Sequence, residues 1–159
     1  MGHAGPGLIA FPSKENNVVL FGICKANPDP QNYQCEDITN VLPRYPKPFA
    51  NIRVVYLGGC KTFLPPSLPE EFVKRGAWSA VGWKVEVGSL VPFGHDAPHR
   101  AFWYTLCGDR EKKIVGKTVL EAAEAAGETY RGLLDLGWPL WPSWDTFVGV
   151  AGNGWVKLY

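Results

Sequence analysis

The chain has 159 residues, 46% of them hydrophobic and 19% charged, with 16 basic and 15 acidic side chains and a net charge of +1. That length suits one domain, able to bury roughly 68–70% of its unfolded surface. The near-zero charge gives no sign of the concentrated positive field that a nucleic acid or an anionic membrane surface requires.

In chain order, Gly7–Pro12 and Asn17–Cys24 are β-rich runs around the polar stretch SKENN, which predicts a hairpin. ANPDPQNYQ is a loop, because its prolines lack backbone donors and Asn and Asp favour turns. CEDITNVL, with acids in its first turn, predicts a short helix ended by PRYPKP. NIRVVYLGG is an unbroken apolar run, as expected of a central parallel strand buried on both faces.

SLPEEFVKRGA predicts a helix with Ser67 as N-cap, Pro69 and two glutamates in the first turn, and Gly76 as the stop. WSAVGWKVEV predicts a strand, and HDAPHRAFWYTLCGD a helix with Pro98 near its start. The strongest helical signal is Thr118–Leu134. Thr118 and Glu121 have capping-box spacing, and Val119, Ala122, Ala123, Ala126, Tyr130, Leu133 and Leu134 form an apolar stripe. TFVGVAGNGWVKLY predicts a closing hairpin turning at Gly152-Asn153-Gly154. The alternation of strands and helices predicts a single α/β domain over residues 1–159 with a largely parallel central sheet.

Four cysteines (Cys24, Cys35, Cys60 and Cys107) lack metal-site spacing, and Cys24 and Cys35 would close a loop only in an oxidising compartment. The apolar runs fall short of a bilayer span, and the N-terminus lacks a signal-peptide pattern, which favours the cytoplasm. His95 and His99 stand four apart, but Pro98 between them favours a surface loop or helix cap over a metal pair, so no metal or cofactor is expected.

Chemistry centres on Cys60, at the carboxyl end of the NIRVVYLGG strand, where ligands bind in open α/β sheets. Such a thiol is either a packed core group or a nucleophile, and a nucleophile needs a base. His3, in the small-residue stretch GHAG, is the candidate.

GHAG, then RVVYLGGCKT, FVKRGAWSAVGWKVEV, AFWYTLCGD, VGKTVLEAAEAA and VGVAGNGWVKL, in this order, resemble the caspase-like cysteine peptidases of clan CD, in their CHAT and gingipain-like branch. The resemblance implies a caspase-like three-layer sandwich, N-terminally truncated because the family's first strand–helix–strand unit has no counterpart before His3. It implies a cysteine endopeptidase in which Cys60 attacks the scissile carbonyl and His3 is general acid and base. Backbone N–H groups around Ala4, Gly59 and Cys60 would hold the oxyanion, and Gly82-Trp83 would lie beside the first specificity pocket. Ala4 replaces the family's usual glycine. Glu86, Asp96 and Asp145 are candidates for an arginine-binding floor, although such residues are more often solvated surface charges.

The partners so implied are a peptide or protein substrate and a partner chain or N-terminal segment that completes the sheet, with no nucleic acid and no membrane. One alternative is a catalytically inactive caspase-like interaction or scaffold module. Another is an aromatic-rich small-molecule or glycan-binding domain built on Trp138, Trp141 and Trp144 of GWPLWPSWD.

Overall fold

A computed structural model of the protein describes strands 3–5, 8–12, 18–22 and 35–37 by their backbone, and residues 47, 49–87, 96–134 and 142–158 in full. The architecture is mixed α/β with a small mixed sheet and three helices among the described residues.

Four N-terminal strands form one sheet. β1 (His3–Gly5) pairs antiparallel with β2 (Leu8–Pro12), and β2 pairs antiparallel with β3 (Val18–Gly22). The hairpin expected around SKENN is therefore present, with Leu8 opposite Gly22 and Pro12 opposite Val18. Residues 35–37 of the expected CEDITNVL helix are instead strand β4 (Cys35–Asp37), parallel to β3, and residues 38–42 lie outside the described ones. Three residues of weak intrinsic preference take the conformation their neighbour strand offers.

The second sheet carries the candidate site. β5 (Val54–Leu57) runs parallel to β6 (Ser79–Trp83), and β9 (Val148–Gly152) pairs antiparallel with the other edge of β6. The order β5-β6-β9 makes β6 the central strand, and all five of its residues are buried. β5, expected to be buried on both faces, has only Leu57 buried and stands at the edge of its sheet among the described strands. The expectation of one largely parallel sheet is corrected likewise: the described strands form three separate sheets in which β3/β4 and β5/β6 are the parallel pairs.

Side chains alternate across a strand, so the two faces of β6 take different cover. Gly82 faces α1 (Leu68–Lys74), where a Cβ would stand 2.7 Å from Pro69 Cγ. Val81 and Trp83 face the main core, with Phe102 and Leu106 of α2 (Asp96–Cys107) and Val119, Ala122, Ala123, Ala126 and Tyr130 of α3 (Val119–Leu133). One helix on one face and two on the other give a helix–sheet–helix layering around β6.

The helix ends follow the expected chemistry. In α1, Ser67 Oγ accepts from Glu70 N at 3.4 Å, Pro69 sits in the first turn, and Gly76 stops the helix at φ +111°, a conformation favoured by glycine. In α3, Thr118 Oγ1 accepts from Glu121 N at 3.2 Å, while the Glu121 carboxylate accepts from Thr118 N at 2.9 Å. The apolar stripe of α3 is buried through Tyr130, but Leu133 at the helix end is exposed.

Replacing Thr118 by alanine is expected to cost about 1 kcal/mol in urea unfolding. The Thr118 backbone bond, then its hydroxyl bond, hold the Glu121 carboxyl below its ordinary value. The resulting stabilisation is complete above the unfolded-state pKa and is lost as pH falls through the lower folded-state value. Glu121→Gln removes this acid-side dependence, and unfolding curves between pH 2 and pH 6 that match the parent's would contradict the box.

Two differences concern the chain's later part. β7 (Gly108–Asp109) and β8 (Ile114–Val115) form a two-stranded antiparallel ribbon that the sequence pattern did not announce. The closing hairpin does not form, because β9 pairs with β6 and the chain after Asn153 serves α3 instead. Val156 O accepts from Val119 N at 3.0 Å and Gly154 O from Leu120 N at 2.9 Å. Those donors have no partner within their own helix, so the returning carbonyls satisfy them.

Candidate functional site

Cys60 lies on the turn that follows β5, after Gly58-Gly59, as the sequence pattern predicted. The turn is tied to both neighbouring strands by Thr62, which has no exposed surface. Its hydroxyl accepts from Trp83 N at 3.0 Å and lies 3.3 Å from the Leu57 and Gly59 carbonyl oxygens, to which it donates. Lys61 N donates to Val85 O at 3.0 Å and Phe63 N to Trp83 O at 2.9 Å. These bonds draw the chain out of strand conformation after Trp83, so β6 ends there rather than continuing through KVEV. Lys61 itself stands at φ +52°, the left-handed region.

Held this way, Cys60 is a free thiol, half-buried, packed on one side against the main core. Two groups flank its turn. Lys61 forms an ion pair with Glu86, and the Glu86 carbonyl accepts from the Tyr130 hydroxyl at 3.0 Å. The Tyr130 phenol is raised above its ordinary pKa, first by burial and then by the nearby Cys60 and Glu86 charges. Lys61, Glu86 and Tyr130 are thus linked in one cluster beside the Cys60 turn.

A second polar chain lies along β5. Trp83 Nε1 donates to Tyr56 Oη at 3.2 Å, and Tyr56 Oη is 2.5 Å from His99 Nδ1. Indole only donates, so every group is satisfied when Tyr56 donates to Nδ1 and His99 carries its proton on Nε2. Desolvation raises the Tyr56 phenol above its ordinary value, outweighing the opposing effect of the Trp83 bond. His99 also closes over Gly58: a Cβ there would stand 3.2 Å from its Cε1. The expectation of a surface loop or cap is thus corrected for His99, which is half-buried against Tyr56 and Trp83. His99, Phe102 and Leu106 recur at helical spacing, a pattern that marks this face in the sequence.

His3 and Ala4 lie on β1, opposite Ala10 and Ile9, and no strand ladder among the described residues joins their sheet to that of Cys60. Gly82 and Trp83, expected beside a specificity pocket, are buried. Gly82 is where α1 and Thr62 approach β6, each within 2.7 Å of a would-be Cβ. Trp83 has no exposed surface and packs on Tyr130 and His99, so it supports the site from beneath. Of the three candidate floor carboxylates, Glu86 belongs to the cluster beside the Cys60 turn. Asp96 lines an open groove along α2 with His99, Arg100, Trp103, Tyr104 and Cys107. Asp145 lies in the 3-10 turn Trp144–Thr146, where its carbonyl accepts from Lys84 Nζ at 2.7 Å.

Trp144 packs against α3 at Gly127, whose Cβ would meet its backbone oxygen at 2.9 Å. Trp138, Trp141, His95 and Cys24 lie outside the described residues, as does the side chain of Cys35. No group of three or more metal-ligating side chains occurs among the described residues, and no described helix is long and apolar enough to cross a membrane. Compared with known proteins, the chain matches no family model, no curated protein and no solved structure.

Proposed function

We propose that the protein is a caspase-like cysteine endopeptidase with Cys60 as its nucleophile. The observation that supports this reading is the placement of Cys60: a free, half-exposed thiol at the carboxyl end of a parallel strand, on a turn bonded to the central strand. The layering of α1, sheet and α2/α3 around β6 is consistent with the three-layer sandwich that the resemblance implies.

In the proposed reaction the Cys60 thiolate attacks the scissile carbonyl carbon and forms a thioester as the C–N bond breaks. His3 gives its proton to the departing amine and then takes one from the water that hydrolyses the thioester. Backbone N–H groups at Cys60, Gly59 and Ala4 hold the oxyanion, an interaction commonly worth several kcal/mol of barrier. A peptide or protein is the substrate. The edge of β5 that no other described strand pairs with is where a partner chain or further segment would complete the sheet.

Cys60→Ala is expected to abolish cleavage of any peptide the parent protein cleaves, at unchanged urea midpoint. Retained turnover in the variant would overturn the proposal. A second reading, a non-catalytic interaction module of the same fold, is favoured by one observation: the separate sheets of His3 and Cys60. Under that reading the parent protein shows no turnover, and Cys60→Ala changes neither stability nor partner binding.

A further inference from the structure

Gly58, two residues before Cys60, is fixed by two different elements. The Thr62 hydroxyl lies 3.3 Å from the carbonyl oxygens of Leu57 and Gly59, the residues that flank it. The His99 imidazole of α2 fills the face where a side chain would stand, since a Cβ there would be 3.2 Å from Cε1 and 3.4 Å from Nδ1. Glycine at position 58 is therefore what admits the ring.

The ring is itself held. It stands edge-on to Tyr56 and to Trp83, with centroids 5.7 Å away in both pairs. Its Nδ1 is 2.5 Å from Tyr56 Oη, which also accepts from Trp83 Nε1. Tyr56 has one hydrogen to give, and Nδ1 accepts it only while it carries no proton. Once Nδ1 is protonated, two N–H groups face one oxygen and the phenol hydrogen loses this acceptor. A hydrogen bond lost in this way weakens the seat of the ring about fivefold. Asp96, Arg100, Tyr104 and Cys107 line the α2 groove with His99, and Cys60 lies on the turn it braces. Asp96 favours the protonated ring and Arg100 opposes it.

We propose that His99 is a positioning residue of the Cys60 turn: its neutral imidazole, seated on Gly58 and bonded to Tyr56, holds the turn, and protonation releases it. The hold is present above the pH at which the imidazole titrates and is lost below it, an interval within pH 5–8. The released stretch carries the Gly59 and Cys60 N–H groups assigned to the oxyanion. That catalytic consequence rests on the peptidase reading, whereas the hold on the turn does not.

The full chain is treated with methyl methanethiosulfonate between pH 5 and pH 8, and Cys60 modification is read by peptide mass spectrometry. Each rate is divided by the thiolate fraction, obtained from the rate profile itself. The corrected rate in the parent is expected to rise about fivefold on acidification, as the turn loosens. His99→Asn keeps an acceptor oxygen near the place of Nδ1 and takes no proton, so its corrected rate should stay flat at the parent's pH 8 value. Gly58→Ala crowds the ring off its seat and should stay flat at the parent's pH 5 value. A flat parent profile, or the same rise in His99→Asn, would overturn the proposal. Turnover of a peptide substrate then separates the two readings. A parent kcat that falls relative to that of His99→Asn on acidification, at a constant KM ratio, supports the catalytic consequence, and a constant kcat ratio overturns it. The expected modification pattern without turnover of any peptide overturns the peptidase reading and leaves the hold on the turn standing.

Discussion

Trp83→Ala is expected to lower the unfolding free energy by about 3–5 kcal/mol. The side chain has no exposed surface and stands on the central strand, facing the core shared with α2 and α3. Its ring centroid is 5.4 Å from that of Tyr130 and 5.7 Å from that of His99, so truncation opens a cavity between two helices. It also removes the indole donor from the half-buried Tyr56 hydroxyl. Trp83→Phe removes the donor and leaves a smaller cavity, so its cost is expected to be lower, at about 1–2 kcal/mol. Urea unfolding monitored by far-ultraviolet circular dichroism reads both. A cost below about 1 kcal/mol for Trp83→Ala would contradict its buried placement and return it to the pocket rim that the sequence resemblance implied.

Gly82→Ala is the second large effect, at about 2–3 kcal/mol of destabilisation. The added methyl would stand 2.7 Å from both Pro69 Cγ and Thr62 Oγ1, and 3.3 Å from Phe63 N. Pro69 belongs to a rigid first helical turn, and Thr62 is bonded to Trp83 N, so neither yields without loss. Because Thr62 also ties the Cys60 turn to β5, the substitution should change the reactivity of Cys60 toward iodoacetamide along with stability. An unchanged urea midpoint in Gly82→Ala would show that this position opens onto space, as a substrate-lining glycine does.

What was legible in the sequence was what local chemistry decides. Ser67 with Pro69 and Gly76, and Thr118 with Glu121, each satisfy or end a helix through neighbours within a few residues, so their spacing alone predicts α1 and α3. The position of Cys60 at a strand end was legible for the same reason, because Gly58-Gly59 closes an apolar run.

The order of strands was not legible, because it depends on distant partners. The segment after Asn153 has the turn residues of a hairpin, yet its carbonyls serve the first turn of α3, more than thirty residues earlier. Nothing in NIRVVYLGG distinguishes a central strand from an edge strand, since both are apolar and end in glycine. The Tyr56–His99 bond joins positions 43 residues apart and leaves only the helical recurrence of His99, Phe102 and Leu106 as a trace. Thr62, unremarkable in CKTFLPP, becomes the hinge-pin of the turn only once β6 lies beside it.

The central claim is that Cys60 is a nucleophile held ready for acylation, with His3 as its proton carrier. Its most direct test exposes the full chain to peptidyl electrophiles ending in arginine, lysine, aspartate or asparagine and locates adducts by mass spectrometry. The account predicts a covalent adduct on Cys60 ahead of Cys24, Cys35 and Cys107, lost when His3 is replaced by alanine. Adducts spread over the four cysteines in proportion to exposure, and indifferent to His3, would contradict it.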